Sequence, residues 1–149
     1  MIKFKFLKSG IPDESAEQIA FFNWARGNIS EKLFGLLFSI PNGARTSMST
    51  AKRLKAEGLK SGVPDIFFAC PLKGYAGLFI EMKNQKGGQI SPEQKAMIER
   101  LRQEEFRVEV CNGNLAAQKV LLDYLSKPPQ KPEIKPQADA HNGINFEGA

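Results

Sequence analysis

The stretch GVPDIFFACPLKGYAGLFIEMK, residues 62 to 83, constrains this chain more than any other. Two apolar runs flank a Gly-containing turn, the pattern of a β-hairpin, yet the runs carry Asp65, Glu81 and Lys83. Successive side chains of a strand point to opposite faces. Ile66, Phe68, Leu78, Ile80 and Met82 therefore share one wholly apolar face, while Asp65, Phe67, Phe79, Glu81 and Lys83 share the other. If strands 65 to 70 and 77 to 83 pair through a turn at 71 to 76, Asp65 lies opposite or diagonal to Glu81 and Lys83, with backbones about 5–8 Å apart.

Two carboxylates and an ammonium beside Phe67 and Phe79 are costly to bury unless something compensates them. A divalent cation would do so. Oxygen-only ligation suits a hard ion such as Mg²⁺, with Mn²⁺ as a substitute, which keeps several waters and leaves room for a substrate phosphate. Lys83 would then orient or help deprotonate a nucleophile and balance charge on the phosphorane, and the chemistry would be phosphodiester hydrolysis. The alternative is structural: Asp65 caps a strand end, and Glu81 and Lys83 are the solvent-facing end of an edge strand.

The rest of the chain is what one soluble domain needs. It has 149 residues, 42% of them hydrophobic and 25% charged, enough to bury a core. No run reaches the roughly 18–20 apolar residues of a membrane span, and MIKFKFLKSG does not make a signal peptide, so a cytoplasmic setting is expected. Cys70 and Cys111 lie in apolar strand-like segments and read as buried free thiols; with His141 as the only histidine they make no four-ligand zinc site. After LSK at residues 125–127 the composition turns to PPQKPEIKPQADAHNGINFEGA, which reads as a disordered tail over 127–149 behind a folded domain of 1–126.

Periodicity gives the element order. IKFKF alternates like an edge strand. ESAEQIAFFNWARG predicts a helix with Ser15 as N-cap, Gln18 closing a capping box and Gly27 as terminator. A short helix and a strand LLFSI follow, then a basic helix STAKRLKAEG ending at Gly58. After the hairpin, SPEQKAMIERLRQEEF predicts a helix with Ser91 as cap, Pro92 at the first position and Gln94 closing a second capping box. FRVEVCN is a strand, and NLAAQKVLLDYL a last amphipathic helix. The fold class is α/β, a mixed central sheet between helical layers, without the Gly-rich phosphate loop of an NTPase.

The formal charge is +5, and the tail holds three basic and three acidic residues, so the excess lies in residues 1–126. Arg45, Lys52, Arg53, Lys55 and Lys60 concentrate it just before Asp65, opposed only by Glu57. They are placed to hold phosphates without reading base edges, although a solvated helix face has the same composition.

Pro64-Asp65, followed by Glu81-Met82-Lys83 on the next strand, resembles the PD-(D/E)xK nuclease signature. The ordered string around it is Pro41-Asn42-Gly43, Gly62-Val63-Pro64-Asp65, Gly77 through Lys83, and Ser91-Pro92-Glu93-Gln94. Together they are similar to the virus-type replication-repair nuclease (VRR-NUC) domain, over about residues 14–111. The resemblance implies a restriction-endonuclease-like core of order α-β-β-β-α-β. It also implies Asp65 and Glu81 as metal-binding carboxylates, the Met82 carbonyl as a further ligand, Lys83 as the catalytic lysine and Gln94 as a site glutamine. For the glutamate of helix one, Glu14 with Gln18 fits the family spacing of four; Glu17 sits beside Phe21 and Trp24. For Gln18 and Gln94, a capping role is an equally good account.

The expected activity is therefore a Mg²⁺-dependent, structure-selective DNA endonuclease acting on Holliday junctions or other branched DNA, in a bacterial or phage-infected cell. Stand-alone members of the family act as homodimers, which suits symmetric cutting of two strands. The competing readings are a non-catalytic DNA-binding module, a restriction-type nuclease and an RNA-directed nuclease.

Overall fold

The computed structural model describes residues 10–41 and 47–126. The IKFKF segment, Asn42 and Gly43 of the expected turn, Arg45 and the 127–149 segment with His141 lie outside them. Among the described residues no helix is long and apolar enough to cross a membrane.

The elements in chain order are α1 (Glu14–Asn28), α2 (Glu31–Phe34), β1 (Leu37–Ser39), α3 (Met48–Ala56), β2 (Ile66–Phe68), β3 (Leu78–Lys83), α4 (Pro92–Gln103), β4 (Arg107–Asn112) and α5 (Asn114–Leu125). The expected order holds, with shorter strands. The sheet runs β1-β2-β3-β4; β1 and β2, and β2 and β3, are antiparallel, while β3 and β4 are parallel. A parallel neighbour needs a crossover, and α4 supplies it.

The two faces of the hairpin divide the core as the alternation requires. Ile66, Phe68, Leu78, Ile80 and Met82 pack with Phe21 and Ala25 of α1 and Ala117, Leu121 and Tyr124 of α5. Phe79 on the opposite face packs with Val108 and with Ile98 of α4, and Phe67 stacks on it with ring centroids 4.3 Å apart. Helices therefore cover both faces, and every residue of β3 is buried, its charged ones included. The solvent-facing edge-strand account of Glu81 and Lys83 does not describe this fold.

Helix starts correct one reading. The N-cap of α1 is Asp13, whose Oδ1 accepts from the Ala16 N–H at 2.8 Å, and not Ser15. A carboxylate two residues upstream has taken the cap, so Gln18 falls in the second turn and closes no capping box; the helix also runs one residue past Gly27. On α4 the Ser91–Gln94 capping box forms as its sequence dictates, with Pro92 in the first turn. Cys111 is buried in β4, where burial pushes its thiol up to about 12, but Cys70 follows β2 and is only half-buried.

Helix α3 buries none of its residues. Lys52, Arg53, Lys55 and Lys60 are all exposed, and among the described residues Arg53 pairs with the exposed Glu57, at 3.4 Å.

Candidate active site

Asp65 stands at the entrance to β2. Its carbonyl accepts from the Ile40 N–H at 2.7 Å, and its Oδ2 accepts from the Met82 N–H at 2.9 Å. The carboxylate thus takes the place of a backbone partner just ahead of β2, which ties it to β3. Within a strand, a residue's N–H and C=O project to the same side. The Met82 carbonyl therefore faces the side on which Asp65 lies, and both residues line one cavity.

Glu81 is 2% exposed. Its Oε1 accepts from Gln94 Nε2 at 2.5 Å and from Lys83 Nζ at 3.1 Å, while its Oε2 is buried without a hydrogen-bond partner among the described residues. Such an atom is the exception in a folded interior, and its lone pairs are open to a ligand. Burial pushes the Glu81 carboxyl above its usual range, reinforced by Asp65 and, more weakly, Glu14, and opposed by Lys83. Burial raises Asp65 as well, against the pull of the Met82 N–H and Lys83. Two buried neighbouring carboxyls raise each other's cost of ionisation, and a cation between them would lower it.

Lys83 is buried and reaches a second carboxylate, Glu14, at 3.9 Å. Gly88 lies over its stem: a Cβ there would come within 3.2 Å of Lys83 Cδ. Gln94 does two jobs at once. Its Oε1 accepts from the Ser91 N–H at 3.0 Å to complete the capping box, which leaves its Nε2 aimed at Glu81. The capping box forms as read, and the same side chain contacts Glu81.

The N-terminus of α4 reaches this position because Gly62 lets it. Gly62 has φ +83°, and a Cβ on it would lie 2.4 Å from the Glu93 carbonyl oxygen. Only a residue without a side chain allows this contact two positions ahead of Pro64.

Of the residues expected at the site, Asp65, Glu81, Met82, Lys83, Gln94 and Glu14 come together. Gln18 lines the same cavity, with Ser15 and Ile19. Glu17 does not reach it, being engaged by Gln85 and Asn114. Sequence reading missed Gln85 and Asn114, because nothing local marks a contact made across the fold, and it took Gly62 only as part of the Gly62-Val63-Pro64-Asp65 string, with no contact assigned to it.

Among the described residues no group of three or more His, Cys, Asp or Glu forms a metal cluster. The available donors are two carboxylates and a backbone carbonyl, a set that fits a water-rich, oxygen-ligated dication better than zinc.

The VRR-NUC domain family matches residues 17–115, which include every one of these residues except Glu14 and Ser15. This chain belongs to the VRR-NUC family. A solved structure described as a VRR_NUC domain protein is similar, with a TM-score of 0.67 and 27% identity, covering 82% of this chain and 91% of that one. No curated protein matches. As a VRR-NUC member the chain is a nuclease-type domain, and its four-stranded mixed sheet flanked by helices is the expected fold.

Proposed function

We propose that this VRR-NUC domain is a Mg²⁺-dependent, structure-selective DNA endonuclease that hydrolyses phosphodiester bonds in branched DNA, Holliday junctions included, with Mn²⁺ able to replace Mg²⁺. The observation that carries the reading is the buried Glu81 Oε2 beside Asp65, which has no hydrogen-bond partner among the described residues. Asp65, Glu81 and the Met82 carbonyl would hold the dication, which when bound supplies Lewis-acid activation of the phosphate.

The protein's own groups do the remainder. Gln94 and Lys83 both bind Glu81 Oε1, which directs the free Oε2 away from them. The Lys83 ammonium, held between Glu81 and Glu14, is a fixed cation that can orient an attacking water and balance charge developing on the phosphorane. Helix α3 with Lys52, Arg53 and Lys55, followed by Lys60, and Arg45 just ahead of it, would contact phosphates and give affinity without sequence preference. The acting form would be a homodimer, since symmetric cutting of two strands needs two sites, and its setting the cytoplasm of a bacterial or phage-infected cell.

The test is cleavage of labelled four-way junction, flap, single-stranded and linear duplex DNA, with a matched RNA, in Mg²⁺, Mn²⁺ or EDTA. Metal-dependent cutting of branched DNA, lost in Asp65→Asn and Lys83→Ala while binding persists, is the expected result. Binding without cutting in either metal would make the domain a DNA-binding module, and faster cutting of the RNA would make it a ribonuclease.

A further inference from the structure

The cavity that Asp65 and Met82 share with α1 does not end there. It has a volume of about 260 Å³, and a second of about 290 Å³, bounded by Gln18, Ile19, Phe22, Asn23 and Ser39, shares Gln18 and Ile19 with it. Along α1 these walls are Glu14, Ser15, Gln18, Ile19, Phe22 and Asn23, one stripe at helical spacing that runs roughly 13 Å from the site. The far wall is Ser39, the last residue of β1, the outermost strand among the described residues, paired with Ile66 beside Asp65. A single groove therefore leads from the candidate metal site, between α1 and the sheet edge, into solvent.

Its chemistry changes along its length. Glu14 and Asp65 stand at the inner end, and beyond them the lining residues among those described carry no charge: two amides, the hydroxyls of Ser15 and Ser39, and the apolar side chains of Ile19 and Phe22. Among the described residues the side chains of Gln18, Asn23 and Ser39 make no hydrogen bonds. A phosphate seeks cations, and the lining residues among those described offer none. A nucleobase presents apolar faces and an edge of mixed donors and acceptors, which amides and a hydroxyl complement.

We infer that this groove receives one unpaired nucleobase of the substrate strand, next to the scissile phosphate. The inference rests on the nuclease reading above and gives it a selectivity device. A base can enter only when it leaves its stack, and that costs least where a branch has already unpaired it. Branch points are then selected by an extrahelical base, while α3 contributes affinity common to all DNA.

Two measurements test this, both with Asn23→Ala/Ser39→Ala, whose exposed positions leave the fold intact. The first compares cleavage of a flap carrying a normal nucleotide beside the cut with the same flap made abasic there. Wild type should lose about tenfold in kcat/KM on the abasic substrate and the double variant should not discriminate; equal rates for wild type on the two substrates would overturn the inference. The second needs no cutting: 2-aminopurine at that nucleotide should brighten on binding Lys83→Met, a variant chosen to block cleavage while filling the buried lysine's space, and brighten several-fold less when the double substitution is added. An equal rise in both backgrounds would overturn the groove even if DNA is cut, whereas a wild type that cuts nothing but shows the groove-dependent rise would overturn only the nuclease reading.

Discussion

The carboxylate of Glu17 caps the helix that begins at Asn114: its Oε2 accepts from the Asn114 N–H at 2.7 Å and from the Asn114 side-chain amide at 2.6 Å. The N-cap position itself, Gly113, supplies no side chain, and a Cβ there would lie 2.9 Å from Gln85 Cγ and 3.4 Å from Glu17 Oε2. The other oxygen of Glu17 accepts from Gln85 Nε2 at 2.8 Å. One buried carboxylate thus joins α1, the end of β3 and the start of α5, and complements the positive end of the α5 dipole.

Two neighbouring glutamates should consequently fail in different ways. Glu17→Ala strands three donors and is expected to lose about 3 kcal/mol of stability, a fall of roughly 10 °C in Tm. Glu14 is half-exposed, so Glu14→Gln should stay within about 0.5 kcal/mol of wild type. Its loss should appear in cleavage, lowered roughly 10- to 100-fold, because Lys83 loses one of the two carboxylates that orient it. Thermal denaturation and single-turnover cleavage of both variants check this.

Asp65→Asn should raise the stability of the metal-free protein while abolishing cleavage. The Asn carbonyl still accepts from the Met82 N–H, and the repulsion with Glu81 is gone. Both carboxyls have raised pKa values in the fold. The stability they contribute is therefore fully present below their ordinary values of 3.8 and 4.5 and is lost as pH rises through the raised ones. Variant and wild type should have nearly equal Tm in acid and diverge toward neutral pH, the variant ahead by about 2–4 °C. Mg²⁺ should close the gap by stabilising the wild type alone.

Gly62→Ala is expected to cost about 2–3 kcal/mol and to weaken cleavage as well, since the clash falls on the Glu93–Gln94 backbone from which Gln94 reaches Glu81. Gly58→Ala is the control. Gly58 also has positive φ, +105°, but a Cβ there meets nothing within 4 Å, so only backbone strain of about 1 kcal/mol should appear and cleavage should be unchanged. Urea denaturation with matched cleavage assays separates the two.

Charge removal on α3 should affect binding alone. Lys52→Ala/Arg53→Ala/Lys55→Ala alters a helix with no buried residue, so Tm should hold. DNA affinity should fall on every DNA structure alike, and the slope of log K against log salt should drop by about 0.9 for each phosphate that is no longer neutralised. Titrations at several salt concentrations measure it.

The sequence alone determined the parts of this protein that depend on neighbours along the chain. Period-two alternation assigned Ile66 and Phe68 to one face and Phe67 to the other and left Asp65 opposite or diagonal to Glu81 and Lys83; the register of Ile66 with Ile80, which sets Asp65 level with Glu81, came from the folded sheet. The Ser91–Gln94 capping box was equally legible, because all its atoms lie within one helical turn. Tertiary structure alone decided which glutamate of α1 faces the site and which caps α5, since Glu17 meets Asn114 across 97 residues. It also decided that Gln94 serves both a cap and Glu81, that Glu81 Oε2 is left without a partner among the described residues, and that α1 and the β1 edge enclose a groove. Periodicity reports which way a side chain points. Which distant element it meets there is set by how the layers pack, and no local pattern records that.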